Sequence, residues 1–254
     1  MIVNLTLSIR RAIRRRLTAM LFNSSRYYLA RVNAEAAQSV PAGSLVLDAG
    51  AGQAPYRHLF QHARYEAADF GKLAMEYGEL TYTCDLRAIP VENERFDFVL
   101  FNQTLEHIPE PKEVLRELNR VMKTNARILY TGPLFYEEHA APYDFYRYTQ
   151  FGLRYLFDQA GFEVQSLEWL EGYFGTLGYQ LQRASECLPL RAKDYGGGAV
   201  GFAMVPCAVA AKICFALMSA VFYRMDRRIR YTASGYPKNY YLFAVKRAAT
   251  QVLL

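Results

Sequence analysis

The residues best suited to chemistry in this chain lie at the ends of apolar runs. Leu45-Val46-Leu47-Asp48-Ala49-Gly50-Ala51-Gly52 takes a buried-strand pattern into an acidic residue and then a Gly-x-Gly turn. Glycines there let a ligand approach backbone that a side chain would screen. Asp48 either caps that turn or touches the ligand. Asp69 follows about 20 residues later, the spacing at which a carboxylate meets ribose hydroxyls in a βαβ unit. Further on, Tyr136, His139, Tyr143, Asp144 and Arg147 crowd one aromatic and charged stretch. An unperturbed imidazole can accept a proton near neutral pH, so His139 is the first candidate for a general base, with Tyr143 second. Asp144 and Arg147 are three apart. They either pair with each other or leave Arg147 to hold a substrate carboxylate or phosphate. His58 and His62 share a face of an expected helix, but two ligands are not a metal site. No metal ligand is assigned.

The elements that must position these residues alternate. Strands are expected at Leu45–Ala49, Arg64–Asp69, Leu80–Cys84, Phe96–Phe101, Ala126–Thr131, Glu163–Leu170 and Asn239–Lys246. Pro55 is placed to open a helix after the glycine turn. Val114, Leu115, Leu118, Val121 and Met122 recur at helical spacing. Thr149 is expected to cap a helix that Gly161 ends. Strands alternating with helices imply a parallel sheet covered on both faces, with ligands at its carboxyl edge. Asp97 starts its strand, at the opposite edge, and is read as structural. After Gly52 come Gln53-Ala54-Pro55, so the third glycine of a dinucleotide fingerprint is missing. That argues against an NAD-dependent oxidoreductase.

Leu45–Gly52, Asp69, Cys84-Asp85-Leu86 with Ile89-Pro90, and Phe96–Leu100 with Leu105-Glu106-His107 together resemble the class I S-adenosylmethionine-dependent methyltransferases, type 11-like. The resemblance implies an α/β, Rossmann-like, seven-stranded, mostly parallel sheet with an antiparallel last strand. It implies S-adenosyl-L-methionine as cofactor. Gly50 and Gly52 would run along its amino-acid part, and Asp69 would accept from the ribose, with Glu66 as a substitute. Asp85 would meet the adenine amino group beside the backbone of Leu86, or else form a turn. Asn102 and Gln103 would lie near the methionine and the transferred methyl. Glu106-His107 resembles part of a Glu-x-x-Glu-His arrangement of quinone O-methyltransferases, in which a divalent ion assists; Gln103 replaces the first carboxylate here. Pro142–Thr149 is similar to a segment of bacterial methyltransferases of cell-surface polysaccharide synthesis. The implied activity is methyl transfer, O-methylation first, to a small-molecule or glycan/lipid-linked acceptor.

The charge is uneven. The chain carries +6, and residues 1–40 hold seven arginines against one acid, Glu35, so the remainder is balanced. Ile9, Ile13, Leu17 and Met20 fall on one face of an expected helix and Arg10, Arg11, Arg14 and Arg15 on another. Such a helix suits an anionic membrane surface or caps the domain, and nucleic acid is the disfavoured partner. Four cysteines without metal spacing point to reduced thiols in the cytoplasm.

The expected organisation is 1–40 as basic amphipathic helices, 41–171 plus 239–247 as the cofactor domain, and 172–238 as an insertion before the last strand. Within the insertion, Ala199–Tyr223 is nearly all apolar, and arginines follow it. Pro206, Lys212 and the need to return to one sheet argue against a simple span. An in-plane or re-entrant membrane contact, a soluble lid and a homodimer surface remain open. The rival to an enzyme at the inner face of the membrane is a membrane-associated scaffold that keeps the fold without turnover.

Overall fold

A computed structural model describes residues 24–73 and 75–248. The expected amphipathic helix at 9–20 lies outside them. Seven strands make one sheet: β1 (Leu45–Ala49), β2 (Arg64–Asp69), β3 (Tyr82–Thr83), β4 (Phe96–Asn102), β5 (Met122–Pro133), β6 (Phe162–Trp169) and β7 (Asn239–Lys246). Their order is β3-β2-β1-β4-β5-β7-β6. The pairs from β3 to β5 are parallel. β7 lies antiparallel between β5 and β6. The Rossmann-like, mostly parallel α/β sheet that the sequence predicts is the fold observed.

Every residue of β1 is buried, which is why its sequence reads as a continuous apolar run rather than an alternation. Leu45, Leu47 and Ala49 join one core with α2 (Pro111–Val121) and α3 (Gln150–Gln159). Val114, Leu115, Leu118 and Val121 supply the buried stripe of α2. Each fully buried leucine contributes about 1.5–3 kcal/mol. The alternate residues turn to the opposite face. There the Phe60 ring lies 6.4 Å from that of Phe98. On the same face α1 (Ser24–Gln38) reaches Asn102 through Asn33. Thr149 caps α3 by accepting from the Gly152 N–H at 3.2 Å, and Gly161, at φ +85°, closes it.

Several expected boundaries move. No α-helix follows Pro55: the chain turns, with Ala54 at φ +49°, and forms only the 3-10 turn Arg57–Phe60. His58 and His62 therefore do not share a helical face, and the His62 ring meets the Val40 carbonyl at 3.0 Å. Strand β3 shrinks to two residues, which puts Cys84 in the turn beyond it. Met122 begins β5 instead of ending the helix before it. All four cysteines are free.

The described chain divides into two compact units, 29–170 with 239–248 and 24–28 with 171–238. The second is an antiparallel hairpin of α4 (Tyr173–Cys187) and α5 (Gly198–Arg228). Ser219 donates to the Gly178 carbonyl at 2.7 Å, and Ser185 donates to that of Lys212 at 3.0 Å. Gly178 is needed for this approach, because a Cβ there would stand 2.8 Å from the Tyr223 ring.

Candidate active site

The parallel strands end their carboxyl edge in a cluster of polar groups. β1 runs into Gly50 and Gly52, both at positive φ (+76° and +52°). A side chain at Gly50 would stand 2.2 Å from Thr104, so the glycine lets the turn close against the end of β4. Asp69, at the end of β2, is buried. One of its oxygens accepts from the Gly52 N–H at 2.9 Å, and the other from Gly71 at 3.3 Å. The second strand thus holds the glycine turn in place. An ionised carboxylate offers about four acceptor positions, so these two bonds leave both oxygens able to take another donor.

Asp48 is buried and accepts from the Tyr65 hydroxyl on β2. Burial outweighs that bond and pushes its carboxyl up to about 6. The observed partner lies on β2 and not in the glycine turn. Asn102 ends β4 in a small polar network. Its amide donates to Asn33 at 2.9 Å, and its carbonyl accepts from the Thr131 hydroxyl at 2.9 Å. Gln103 follows in the left-handed region at φ +51°, a strained conformation for a non-glycine residue. Its N–H donates to the Thr131 carbonyl at 2.7 Å. Asp85 is engaged by Arg87, whose guanidinium donates to both oxygens, the shortest bond being 2.7 Å. Those bonds hold its carboxyl below the usual range. The neighbouring Leu86 side chain is buried. Asp97 behaves as its place at the strand start predicts, accepting from Leu45 N–H and pairing with Lys123.

Beyond β5 the segment 134–149 folds over the stretch after β4. The N–H of Phe145 donates to the Glu106 carbonyl at 2.8 Å, and His107 Nδ1 meets the Tyr143 carbonyl. The Tyr143 ring packs edge-on against Phe70, centroids 5.5 Å apart. The His139 ring stands edge-on to His107 at 4.7 Å and to Tyr136 at 5.0 Å. His139 Nδ1 lies 3.4 Å from the Asp144 carboxylate. Asp144 and Arg147 form the two-toothed pair that their spacing allows, at 2.6 and 2.8 Å. That pair draws the Asp144 carboxyl down to about 2. Arg147 also donates to the carbonyls of Tyr136 and Glu137. Its charge therefore serves the loop, which is the pairing its spacing from Asp144 allows.

Beneath this loop Glu106 is fully buried, and neither carboxyl oxygen has a hydrogen-bond partner among the described residues. Burial pushes it up to about 8, offset only in part by its own backbone N–H and the charge of Arg147. Burial also lowers His107. Donor atoms of Glu106, His107 and His139 all lie within 4.8 Å of one another, a carboxylate and two imidazoles of the kind that suit a divalent transition ion.

Residues 47–130, which include this strand edge, match the protein family described as a methyltransferase domain. The chain carries a class I S-adenosylmethionine-dependent methyltransferase domain. No curated protein matches it. Among solved structures it is similar in fold to the [4+2]-cyclase SpnF, with 17% identity, TM-score 0.54, and 87% of this chain and 82% of that one covered. It is similar to the Haloferax volcanii complex of the Trm112 methyltransferase activator and a putative methyltransferase, with 16% identity, TM-score 0.53, and 92% and 94% covered. It also resembles Haemonchus contortus phosphoethanolamine N-methyltransferase 2 in complex with S-adenosyl-L-methionine, with 14% identity, TM-score 0.52, and 87% and 52% covered.

In the methyltransferase domain, sequence reasoning placed Gly50, Gly52, Asp69, Asn102 and Gln103 at one edge, and the structure brings them there. It missed Asn33 and Thr104, which hold Asn102 and the glycine turn. Glu106 and His107 were visible as a dipeptide; that they meet His139 was not, because the contact depends on how 134–149 folds back.

Proposed function

We propose that this methyltransferase moves a methyl group from S-adenosylmethionine to a hydroxyl of a glycan, lipid-linked or small-molecule acceptor beside the loop 134–149. The observation that carries the reading is the glycine turn tied to Asp69 inside the stretch that matches the methyltransferase family. Asp69 retains acceptor capacity for two ribose hydroxyls, so the residues present fit the cofactor. Gly50 and Gly52 carry its amino-acid part, and Asn102 and Gln103 flank the methionine. Asp85 is occupied by Arg87, so the adenine is recognised chiefly at the backbone of Leu86. Asp48 acts at one remove, by anchoring β1 to β2. When bound, the sulfonium supplies an already activated methyl group.

The protein must then align the acceptor and take up its proton. Orientation alone is worth up to about 7–11 kcal/mol. His139 is the proton acceptor. The Glu137 carbonyl, 3.2 Å from Nδ1, orients the imidazole, and the Asp144 carboxylate beside it stabilises the ring once charged. Tyr136 and Tyr143 pack around the acceptor, and Arg147 keeps Asp144 in place.

The test is transfer of labelled methyl from S-adenosylmethionine to glycolipid and metabolite extracts of a strain lacking the gene. The wild type should label a base-stable product, as an ether-forming transfer requires. His139→Ala should lower turnover about 10²–10⁴-fold while cofactor affinity holds. Normal turnover of that variant across pH 6–9 would remove His139 from the mechanism. The fold also serves a [4+2]-cyclase, so cofactor binding without labelling of any extract would favour a role other than methyl transfer.

A further inference from the structure

The hairpin unit carries a surface that methyl transfer does not explain. α5 has a mean hydropathy of 2.0 over its most apolar 18-residue window, yet only 11% of that window is buried. A core helix of that composition would be covered. Gly201, Ala208, Ser219, Tyr223 and Asp226 are its buried positions. At about 100° per residue they form one narrow stripe, turned to α4 except at Gly201, which packs on Ala192 in the turn before α5. Val200, Phe202, Ile213, Leu217 and Val221 are each more than half exposed. They fan over roughly 160° on the opposite side.

The charges are arranged to leave that face apolar. No acidic residue occurs between Asp194 and Asp226, and Lys212 is the single basic one before Arg224. Lys212 sits on the α4 side of the helix, where its ammonium donates to the Glu186 carbonyl at 3.2 Å. Arg224 and Arg228 are exposed at the far end. Arg191 and Lys193 are exposed in the loop before α5. A two-fold partner laid along the apolar face would oppose basic residues to basic residues in either direction. An anionic surface would not.

We propose that the apolar face of α5 lies in the plane of an anionic bilayer, with its side chains at the acyl boundary and Arg224 and Arg228 among the headgroups. Three features fix this as a surface contact. α4 is about 22 Å long, too short to cross the roughly 30 Å hydrocarbon layer. The loop between the helices carries Arg191, Lys193 and Asp194, which an inserted tip would have to bury. Both ends of the insertion return to one place, where the Leu170 N–H donates to the Asn239 carbonyl at 2.9 Å. The inference is independent of which acceptor is methylated.

Flotation of the full chain on phosphatidylcholine vesicles, with and without phosphatidylglycerol, tests it. The wild type should float only with the anionic vesicles and be released by high salt. Arg224→Gln with Arg228→Gln should weaken binding about tenfold or more. Ile213→Glu with Leu217→Glu should abolish flotation, while the cofactor still binds and reports a folded protein. Flotation that persists in the Glu variant would assign binding to another segment, such as the arginine-rich residues 10–16, and overturn the proposal. Wild type left in the dense fraction would also overturn it, as would binding that survives alkaline carbonate. A concentration-dependent dimer that the Glu variant dissociates, without flotation, would make the face a contact between two copies instead. Retained cofactor binding in any of these cases leaves the methyltransferase reading standing.

Discussion

The sheet and the α4–α5 hairpin are built from similarly apolar sequence and use it in opposite ways. In the sheet unit, Leu47, Phe101, Leu115 and Leu118 are wholly withdrawn from water. In the hairpin, Val200, Phe202, Ile213 and Leu217 remain largely in solvent. Apolar area stabilises a fold only when it leaves water, so the first set holds the sheet and its carboxyl edge together and the second contributes little until something covers it. Hydrophobicity read along a chain therefore reports where burial is available, and the structure decides whether it occurs within the chain.

The largest expected effect separates the two sets directly. Leu118→Ala should destabilise the protein by about 2–5 kcal/mol in urea, through lost burial and the cavity left behind. Leu217→Ala should stay within about 0.5 kcal/mol. Equal losses would mean that the hairpin face is covered within the protein itself. A smaller effect is expected at Glu106, where burial opposes ionisation inside the sheet unit. Its folded pKa of about 8 lies above the ordinary glutamate value. The folded state then holds a proton that the unfolded chain releases, and stability falls as pH rises between those values. Glu106→Gln should raise the melting temperature at pH 8–9, worth about 1–3 kcal/mol, and leave it nearly unchanged near pH 4. A uniform change at both pH values would show that the carboxyl is not held protonated. The smallest is local: Thr149→Ala, which removes the cap of α3, should cost about 1 kcal/mol.

Much of the sheet was legible because β1, β4 and β7 are largely apolar runs bounded by polar or glycine residues. β1 and β7 appear at their expected positions for that reason, and β2, which is not an apolar run, was legible from its terminal carboxylate and its distance from β1. The helix expected after Pro55 does not form. Only Leu59 and Phe60 in that stretch can make an apolar stripe, and the left-handed Ala54 and the Gly43–His62 backbone bond close the connection early. The candidate site was legible wherever a residue ends a strand, as at Asp69 and Asn102. It was not legible where function depends on contacts between distant segments. Asn33 and Asn102 are far apart in sequence and have no shared pattern, and nothing in Glu106-His107 announces that one is buried and the other faces His139. Arg147 was visible as a charge, but its loop-holding role depends on two backbone carbonyls that only the fold places.

The central claim is that Asp69 and the glycine turn form the cofactor cradle. Calorimetric titration of wild type and Asp69→Ala with S-adenosylmethionine and S-adenosylhomocysteine, with NAD as control, tests it most directly. The wild type should bind both and not NAD. The variant should lose about 1.5–3 kcal/mol for each charge-assisted bond removed, provided its folding is intact by circular dichroism. Unchanged affinity in a folded Asp69→Ala protein would contradict the cradle as drawn here.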